Sequence, residues 1–321
     1  MLTSALLVAL WAASALAEPL LTVLQANGLT NFAKWLQEDP PFDPSAAGRR
    51  VIVYAPTNQF LPRDGDVTVA RRQTEGDAQR ERERREKEYH AANQESVVFK
   101  RGVLVPEGSV YDTLLSDPDW VNLGPGCNQR IVEKHVGLTS APVVLTGLGE
   151  SVKVTANDIP FDDGVVRPIS GVFMLPGNLS YTLPFLHADA FRDALQEAGL
   201  LSDLDNRPLI TVLAPTNGAF KDAASLASAE LAELLKEHVL VGVPAYTPLL
   251  TEGRTFRTLG GSKVTIELRD GIASINGAKI IAGDAIITNG VVHTIGKPTA
   301  NATTATPSAV ITGPATTGPL S

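Results

Sequence analysis

The sequence predicts an α+β protein built from two tandem copies of one folding unit. Three observations lead there. Four landmarks recur in the same order along the 321 residues. Segments with helical apolar spacing alternate with short β-branched runs. Asp-Gly and Asn-Gly pairs punctuate the second copy where two-residue hairpin turns belong. Composition allows it: 44% hydrophobic and 19% charged residues can build cores for two ordinary domains and exclude a wholly disordered or collagen-like chain. A net charge of −8 argues against a nucleic-acid partner held through phosphates. A single cysteine, Cys127, excludes an intrachain disulfide and a cysteine-cluster metal site.

The two ends are expected to lie outside the fold. Residues 1–17 are apolar (Leu6, Leu7, Val8, Leu10, Trp11) and close on Ala15-Leu16-Ala17, which reads as a secretory signal peptide cut before Glu18. A membrane span needs about 20 apolar residues, and Glu18-Pro19 ends this run early, so no stable span is expected after its removal. Residues 299–321 are rich in Thr, Ala, Pro and Gly without charge and read as a disordered tail. Asn178-Leu179-Ser180 and Asn301-Ala302-Thr303 are Asn-x-Ser/Thr acceptors, which makes Asn178 and Asn301 candidate glycosylation sites.

The repeat begins with Leu20–Leu29 against Phe191–Leu200, each containing a Leu-Gln-x-x-Gly-Leu pattern. Next come Val51 to Phe60 and Ile210 to Phe220, which share Ala-Pro-Thr-Asn: Pro56, Thr57, Asn58 in the first copy and Pro215, Thr216, Asn217 in the second. A histidine-bearing segment comes third, Ile131 to Val136 with His135 and Leu234 to Val239 with His238. Each copy closes on Gly-Val-Val, at Gly164 and at Gly290, the latter continuing to His293.

Local physics accounts for the second copy element by element. Phe191, Leu195 and Ala198 share a helix face, and Gly199 can end that helix in the left-handed conformation. Ile210 to Leu213 reads as a buried strand ended by Pro215, with Thr216 or Asn217 capping the next helix and Phe220 returning to the core. Val264, Ile266 and Leu268 alternate as in a half-buried strand. Asp270-Gly271 and Asn276-Gly277 supply turns, and Asn289-Gly290 leads into the last strand.

This order of motifs resembles the fasciclin domain, in which helices pack on a wedge of β-strands. The resemblance rests on Ala-Pro-Thr-Asn-x-x-Phe, the helical His-Val and Asn-Gly-Val-Val-His. It covers Tyr181 to Pro298 nearly throughout and the first copy more patchily. It implies two tandem fasciclin-like β-wedge domains, a divergent one at 18–174 and a second at 178–298. It also implies a non-catalytic role: adhesion to extracellular matrix, cell-wall polysaccharide or cell-surface proteins, without a cofactor. The expected location is extracellular or the cell wall, with the vacuole or another endomembrane lumen as alternative. An enzyme of unrecognised type is the other alternative. In some animal relatives a Tyr-His pair at the helical histidine serves integrin-dependent adhesion. Lys134 and Glu237 precede the two histidines here, so that motif does not carry over.

With His135 as anchor, 80 positions separate it from Ala55, against 24 between Ala214 and His238. The excess predicts a charged insertion over about 61–115, a solvated and partly helical arm with Glu81/Arg85 and Glu83/Lys87 at i,i+4. From His135 to Gly164 there are 29 positions against 52 from His238 to Gly290, predicting a smaller first sheet with an exposed edge. Tyr89-His90 falls inside the arm and outside the matching position. His135 and His238 read as structural histidines on apolar helix faces, and His293 as a surface or sheet residue. The chain has no nucleophile elbow, phosphate loop, His-Glu-x-x-His or dinucleotide fingerprint. Asp162-Asp163 and Asp203/Asp205 lack calcium-loop spacing. No residue is assigned as catalytic or as a metal ligand.

Overall fold

The computed structural model describes residues 18–38, 40–61, 76–94, 108–135, 141–269 and 272–299. The expected signal peptide at 1–17, residues 300–321 with Asn301, and the expected Asp270-Gly271 turn lie outside them.

The first unit runs α1 (Leu20–Ala26), α2 (Thr30–Gln37), β1 (Val51–Pro56), α3 (Gly76–Tyr89), β2 (Ala91–Asn93), β3 (Gly108–Asp112), β4 (Arg130–His135), β5 (Pro142–Leu145), β6 (Ser151–Lys153), β7 (Ile159–Phe161) and β8 (Gly164–Ile169). The second runs α4 (Leu179–Thr182), α5 (Asp189–Glu197), α6 (Leu201–Asn206), β9 (Ile210–Pro215), α7 (Asn217–Phe220), α8 (Ser228–Glu237), β10 (Val239–Val241), β11 (Thr255–Arg257), β12 (Lys263–Arg269), β13 (Ile272–Ile275), β14 (Ala278–Ile287) and β15 (Gly290–Ile295).

One wiring serves both. β1 pairs in parallel with β8 from Val51↔Gly164 to Pro56↔Ile169, and β9 pairs in parallel with β15 from Ile210↔Gly290 to Pro215↔Ile295. On the other side β1 takes β2 antiparallel and β9 takes β10. The sheet orders are β2-β1-β8-β7 and β10-β9-β15-β14, the latter continuing to β13-β12-β11. The first unit keeps the continuation as a separate sheet, β3-β4-β5-β6. The antiparallel bridge Ala92↔Thr113 joins the two there, at the place of Leu240↔Thr258 in the second unit. Burial on both faces of β1, β9 and β15 fits central strands covered by helices on one side and by the rest of the sheet on the other.

Three expectations need correction. First, α3, β2 and β3 lie within the segment expected to be a solvated insertion, yet they belong to the framework. Tyr89, Ala91 and Ala92 are fully buried, and Lys87 is too. Arg85 pairs with Glu81 as expected, and also with Asp117. Lys87 turns inward, donating to the carbonyls of Glu38 and Pro40 at 2.9 Å each and lying 5.6 Å from the Trp35 ring centre. A helix this polar reads as solvated because the lysine's aliphatic stem, which can line a core, is invisible to a charge count.

Second, the first sheet is not short of a hairpin. β3 to β6 fill the space, and β4 and β5 face the second unit. There Val110, Val132 and Leu145 pack with Tyr246, Ile286 and Val291. Ile286 donates its backbone N–H to Thr146 at 3.2 Å, and Asn122 donates its own to Thr288 at 2.7 Å.

Third, Leu20–Leu29 is not the counterpart of Phe191–Leu200. It forms α1 and the turn at Gly28 (φ 73°). The place of α5 is held by α2, whose first turn is tied to Asn58 as that of α5 is tied to Asn217.

Candidate functional site

Each unit buries a histidine just past a helix end, and the two are wired alike. His90 follows α3. Its Nε2 accepts the Phe173 N–H at 3.0 Å, so Nδ1 carries the hydrogen and donates to the Glu86 carbonyl at 2.8 Å. His238 follows α8, accepts the Thr299 N–H at 3.1 Å and donates from Nδ1 to the Leu234 carbonyl at 2.8 Å. In both the acceptor is the carbonyl four residues back, and the donor lies just beyond the closing strand. Burial holds both rings well below the ordinary imidazole value, at about 4. A second ring proton would also have to face a backbone N–H already aimed at Nε2.

His90 is therefore the counterpart of His238, and the pairing with His135 is overturned. His135 ends strand β4, exposed, because Arg130–His135 alternates between β3 and β5 instead of coiling. The Tyr-His dipeptide of the supposed arm stands at the matching position after all. It is buried: Tyr89 is 0% and His90 1% exposed, with the tyrosine hydroxyl donating to the Arg130 carbonyl at 3.2 Å. Phe32 and Phe191 complete the parallel. The ring centre of Phe32 is 6.0 Å from that of His90, and that of Phe191 is 5.5 Å from that of His238.

The Ala-Pro-Thr-Asn motif has a mechanical explanation. Thr57 donates its backbone N–H to Ile169 and Thr216 donates to Ile295, extending the parallel ladder by one bond. Asn58 then caps a helix distant in sequence. Its Oδ1 accepts the Asn31 N–H at 3.0 Å and its Nδ2 donates to Thr30 Oγ1 at 3.0 Å, both at the start of α2. Asn217 does the same for α5, through the Ala190 N–H at 2.9 Å and Asp189 Oδ2 at 3.1 Å. That hydrogen bond is the main reason the Asp189 carboxyl sits below its usual range. Thr216 caps α7 through the Ala219 N–H. A first-turn N–H has no partner within its helix, so each asparagine ties a helix to the end of a central strand. Gly164 and Gly290 open β8 and β15, where a Cβ would overlap the carbonyl oxygens of Val51 and Ile210.

His293, expected at a surface or in the sheet, lies in β15 fully buried, and burial lowers its pKa. It uses the opposite tautomer: Nδ1 accepts the Asp284 N–H at 3.1 Å and Nε2 donates to the Ala245 carbonyl at 2.9 Å. Asp284, fully buried and at φ 68° beside a register shift in β14, accepts the Thr247 N–H at 2.7 Å and lies 3.4 Å from Lys134 Nζ of the first unit. A buried carboxylate thus meets a cation across the junction of the units.

Both nitrogens of all three buried histidines are engaged in scaffold hydrogen bonds, which leaves none of them a lone pair for substrate. Among the described residues no group of three or more His, Cys, Asp or Glu could hold a metal ion. No helix among them is long and apolar enough to cross a membrane. Asn178 is exposed at the start of α4, and Cys127 is a free, half-buried thiol.

Comparison with known proteins finds likenesses over part of the chain. The fasciclin domain family model matches residues 187–298. A fasciclin-like arabinogalactan protein of Phaeosphaeria nodorum is 24% identical over 213 residues, covering 65% of this chain and 66% of the relative. A fasciclin-like arabinogalactan protein of Arthroderma benhamiae is 25% identical over 222 residues, covering 65% and 52%. The transforming growth factor-beta-induced protein ig-h3 of Sus scrofa is 35% identical over 125 residues, covering 34% and 17%. The chain thus spans between about half and two thirds of the length of the two fasciclin-like arabinogalactan relatives. Among solved structures, the domain pair of the insect cell adhesion molecule Fasciclin I aligns at a TM-score of 0.37 and 14% identity over 86% of this chain and 98% of the other.

Proposed function

We propose that this chain, a fasciclin-domain protein, is a non-catalytic adhesion protein of the cell exterior. Its two domains, 18–174 and 178–298, would present broad surfaces to cell-wall polysaccharide, matrix or cell-surface proteins. The observation that carries this reading is the family match over 187–298 together with a first unit of the same wiring. The use of the motif residues supports it: strand ladders, helix caps and buried histidines hold the scaffold and leave binding to exposed loops and faces. Export rests on the apolar residues 1–17 closing on Ala-x-Ala.

The test is co-sedimentation of purified residues 18–321 with cell-wall and matrix preparations at low and high salt. Retention that survives high salt is expected. Retention lost at high salt would reduce the effect to surface charge, and no retention would overturn the adhesive reading in favour of a lumenal resident.

A further inference from the structure

We infer that Asn178 carries an N-linked glycan whose first sugars cover the neighbouring Tyr181–Phe185 pair, so that the entrance to the second unit is a glycan-shielded face and not an adhesive one. The inference rests on the export reading above.

Three observations meet at this point. The first is the acceptor tripeptide Asn178-Leu179-Ser180, with Asn178 exposed.

The second is how the carboxamide is used. Its Oδ1 caps α4, accepting the Tyr181 N–H at 3.0 Å and the Ser180 hydroxyl at 3.2 Å. Its Nδ2 makes only a long contact, 3.4 Å to Asp205 Oδ2. Asp205 is already engaged by the Ser180 N–H at 2.8 Å through its other oxygen. Glycosylation replaces one Nδ2 hydrogen and leaves Oδ1 untouched, so the cap survives modification. Serine, threonine or aspartate would cap this turn about as well, but only asparagine also offers the nitrogen.

The third observation is the surface alongside. Tyr181 and Phe185 are 59% and 52% exposed, with ring centres 5.4 Å apart. The Tyr181 ring leans back over Gly177, where a Cβ would come within 2.7 Å of its Cδ1, so it lies beside the residue that bears the acceptor nitrogen. Two neighbouring aromatic rings, each more than half in water, form a small exposed apolar face. The C–H face of a sugar ring attached close by is the right size and chemistry to cover it.

The co-reactant is a lipid-pyrophosphate-linked oligosaccharide. Asn178 Nδ2 attacks the anomeric carbon, the C–N bond forms as the C–O bond to the pyrophosphate breaks, Nδ2 gives up one proton, and the lipid pyrophosphate leaves with the bonding pair.

The experiment secretes the full chain from a eukaryotic host behind a heterologous signal, so that lumenal entry does not depend on residues 1–17. Glycopeptide mass spectrometry then reads occupancy, and hydroxyl-radical footprinting reads Tyr181 and Phe185. Most wild-type molecules should be modified at Asn178. Ser180→Ala should abolish occupancy while keeping the cap, and raise oxidation of both rings several-fold. Ser180→Thr should restore both properties. Secreted protein with an empty Asn178 overturns the site, and equal footprints in wild type and Ser180→Ala overturn the shielding. A parallel arm with the native N-terminus reads export by itself: a cytosolic product there overturns the export reading and with it the glycan on the native chain, while the heterologous arm still reports whether Asn178 is a competent acceptor.

Discussion

The two histidine-bearing helices look unrelated and do the same work. α8 is amphipathic, with Leu231 and Leu235 buried, and its period announces it. α3 reads GDAQRERERREKEY and announces a solvated arm. Yet α3 delivers His90 to the same bonds that α8 gives His238, and it buries Lys87 where α8 buries Leu235. The fold is therefore specified less by the chemistry of that helix than by the histidine at its C-terminal end. There an imidazole bridges the carbonyl four residues back to the chain beyond the closing strand. The helix can be rewritten in charge so long as that bridge and its inward stems persist.

The sharpest way to break the equivalence is to remove each ring. His238→Ala leaves a cavity beside Phe191 and orphans the Leu234 carbonyl and the Thr299 N–H. The expected loss is about 3–4 kcal/mol. His90→Ala should lose a similar amount, through Glu86 and Phe173. His135→Ala, at an exposed strand end, should stay within about 0.5 kcal/mol. Denaturant unfolding of the full chain measures all three. A His90 variant as mild as the His135 one would break the equivalence of His90 and His238.

Acid offers a second test. A histidine held neutral at about 4 when folded and near 6.5 when unfolded binds more protons unfolded, so stability rises with pH. Its contribution is fully present above pH 6.5 and is lost as pH falls toward 4. The loss is roughly 3 kcal/mol per histidine. His90→Gln and His238→Gln can still accept and donate but do not titrate, and each should flatten the melting temperature between pH 7 and 4. A profile unchanged in both variants would place the acid sensitivity elsewhere.

Lys87 is a buried cation to which α8 has no counterpart. Lys87→Met keeps the stem and removes the ammonium that satisfies the Glu38 and Pro40 carbonyls. A loss of about 1–3 kcal/mol is expected from orphaning those acceptors. A neutral or stabilising result in denaturant unfolding would mean that the stem alone matters there.

The second unit is legible because its apolar periods, Gly-containing turns and Ala-Pro-Thr-Asn motif agree locally with the final fold. The first misleads at two anchors, for related reasons. Leu20–Leu29 mimics Phe191–Leu200 in its Leu-Gln and Gly-Leu letters, although Phe32 precedes Ala55 by 23 positions, as Phe191 precedes Ala214. That spacing is the better signal, since the distance from helix start to strand end is set by geometry. His135 offers itself as an anchor because Val136 follows it, as Val239 follows His238. His90 is followed by Ala91-Ala92, which start a strand as Val239-Leu240 do, but alanine carries little strand propensity. The capping role of Asn58 and Asn217 is not legible, because each pairs with a helix 27 or 28 positions earlier and sequence reasoning sees caps only locally.

Those two caps provide the finest comparison. Asn58→Ala and Asn217→Ala each remove an acceptor from a first-turn N–H and a donor to the first residue of the same helix. A cap is worth about 1 kcal/mol. At α5 the Asn217 amide donates to the Asp189 carboxylate, whereas at α2 the Asn58 amide donates to a neutral hydroxyl, Thr30 Oγ1. Hydrogen bonds to a charged partner are the stronger kind, so Asn217→Ala should lose slightly more than Asn58→Ala. The excess should vanish in an Asp189→Ser background, where both caps meet hydroxyls. Unfolding of the single and double variants reads this directly. Equal losses in the native background would mean that the exposed carboxylate is too well hydrated to distinguish the units, and that the caps, like the histidines, are interchangeable.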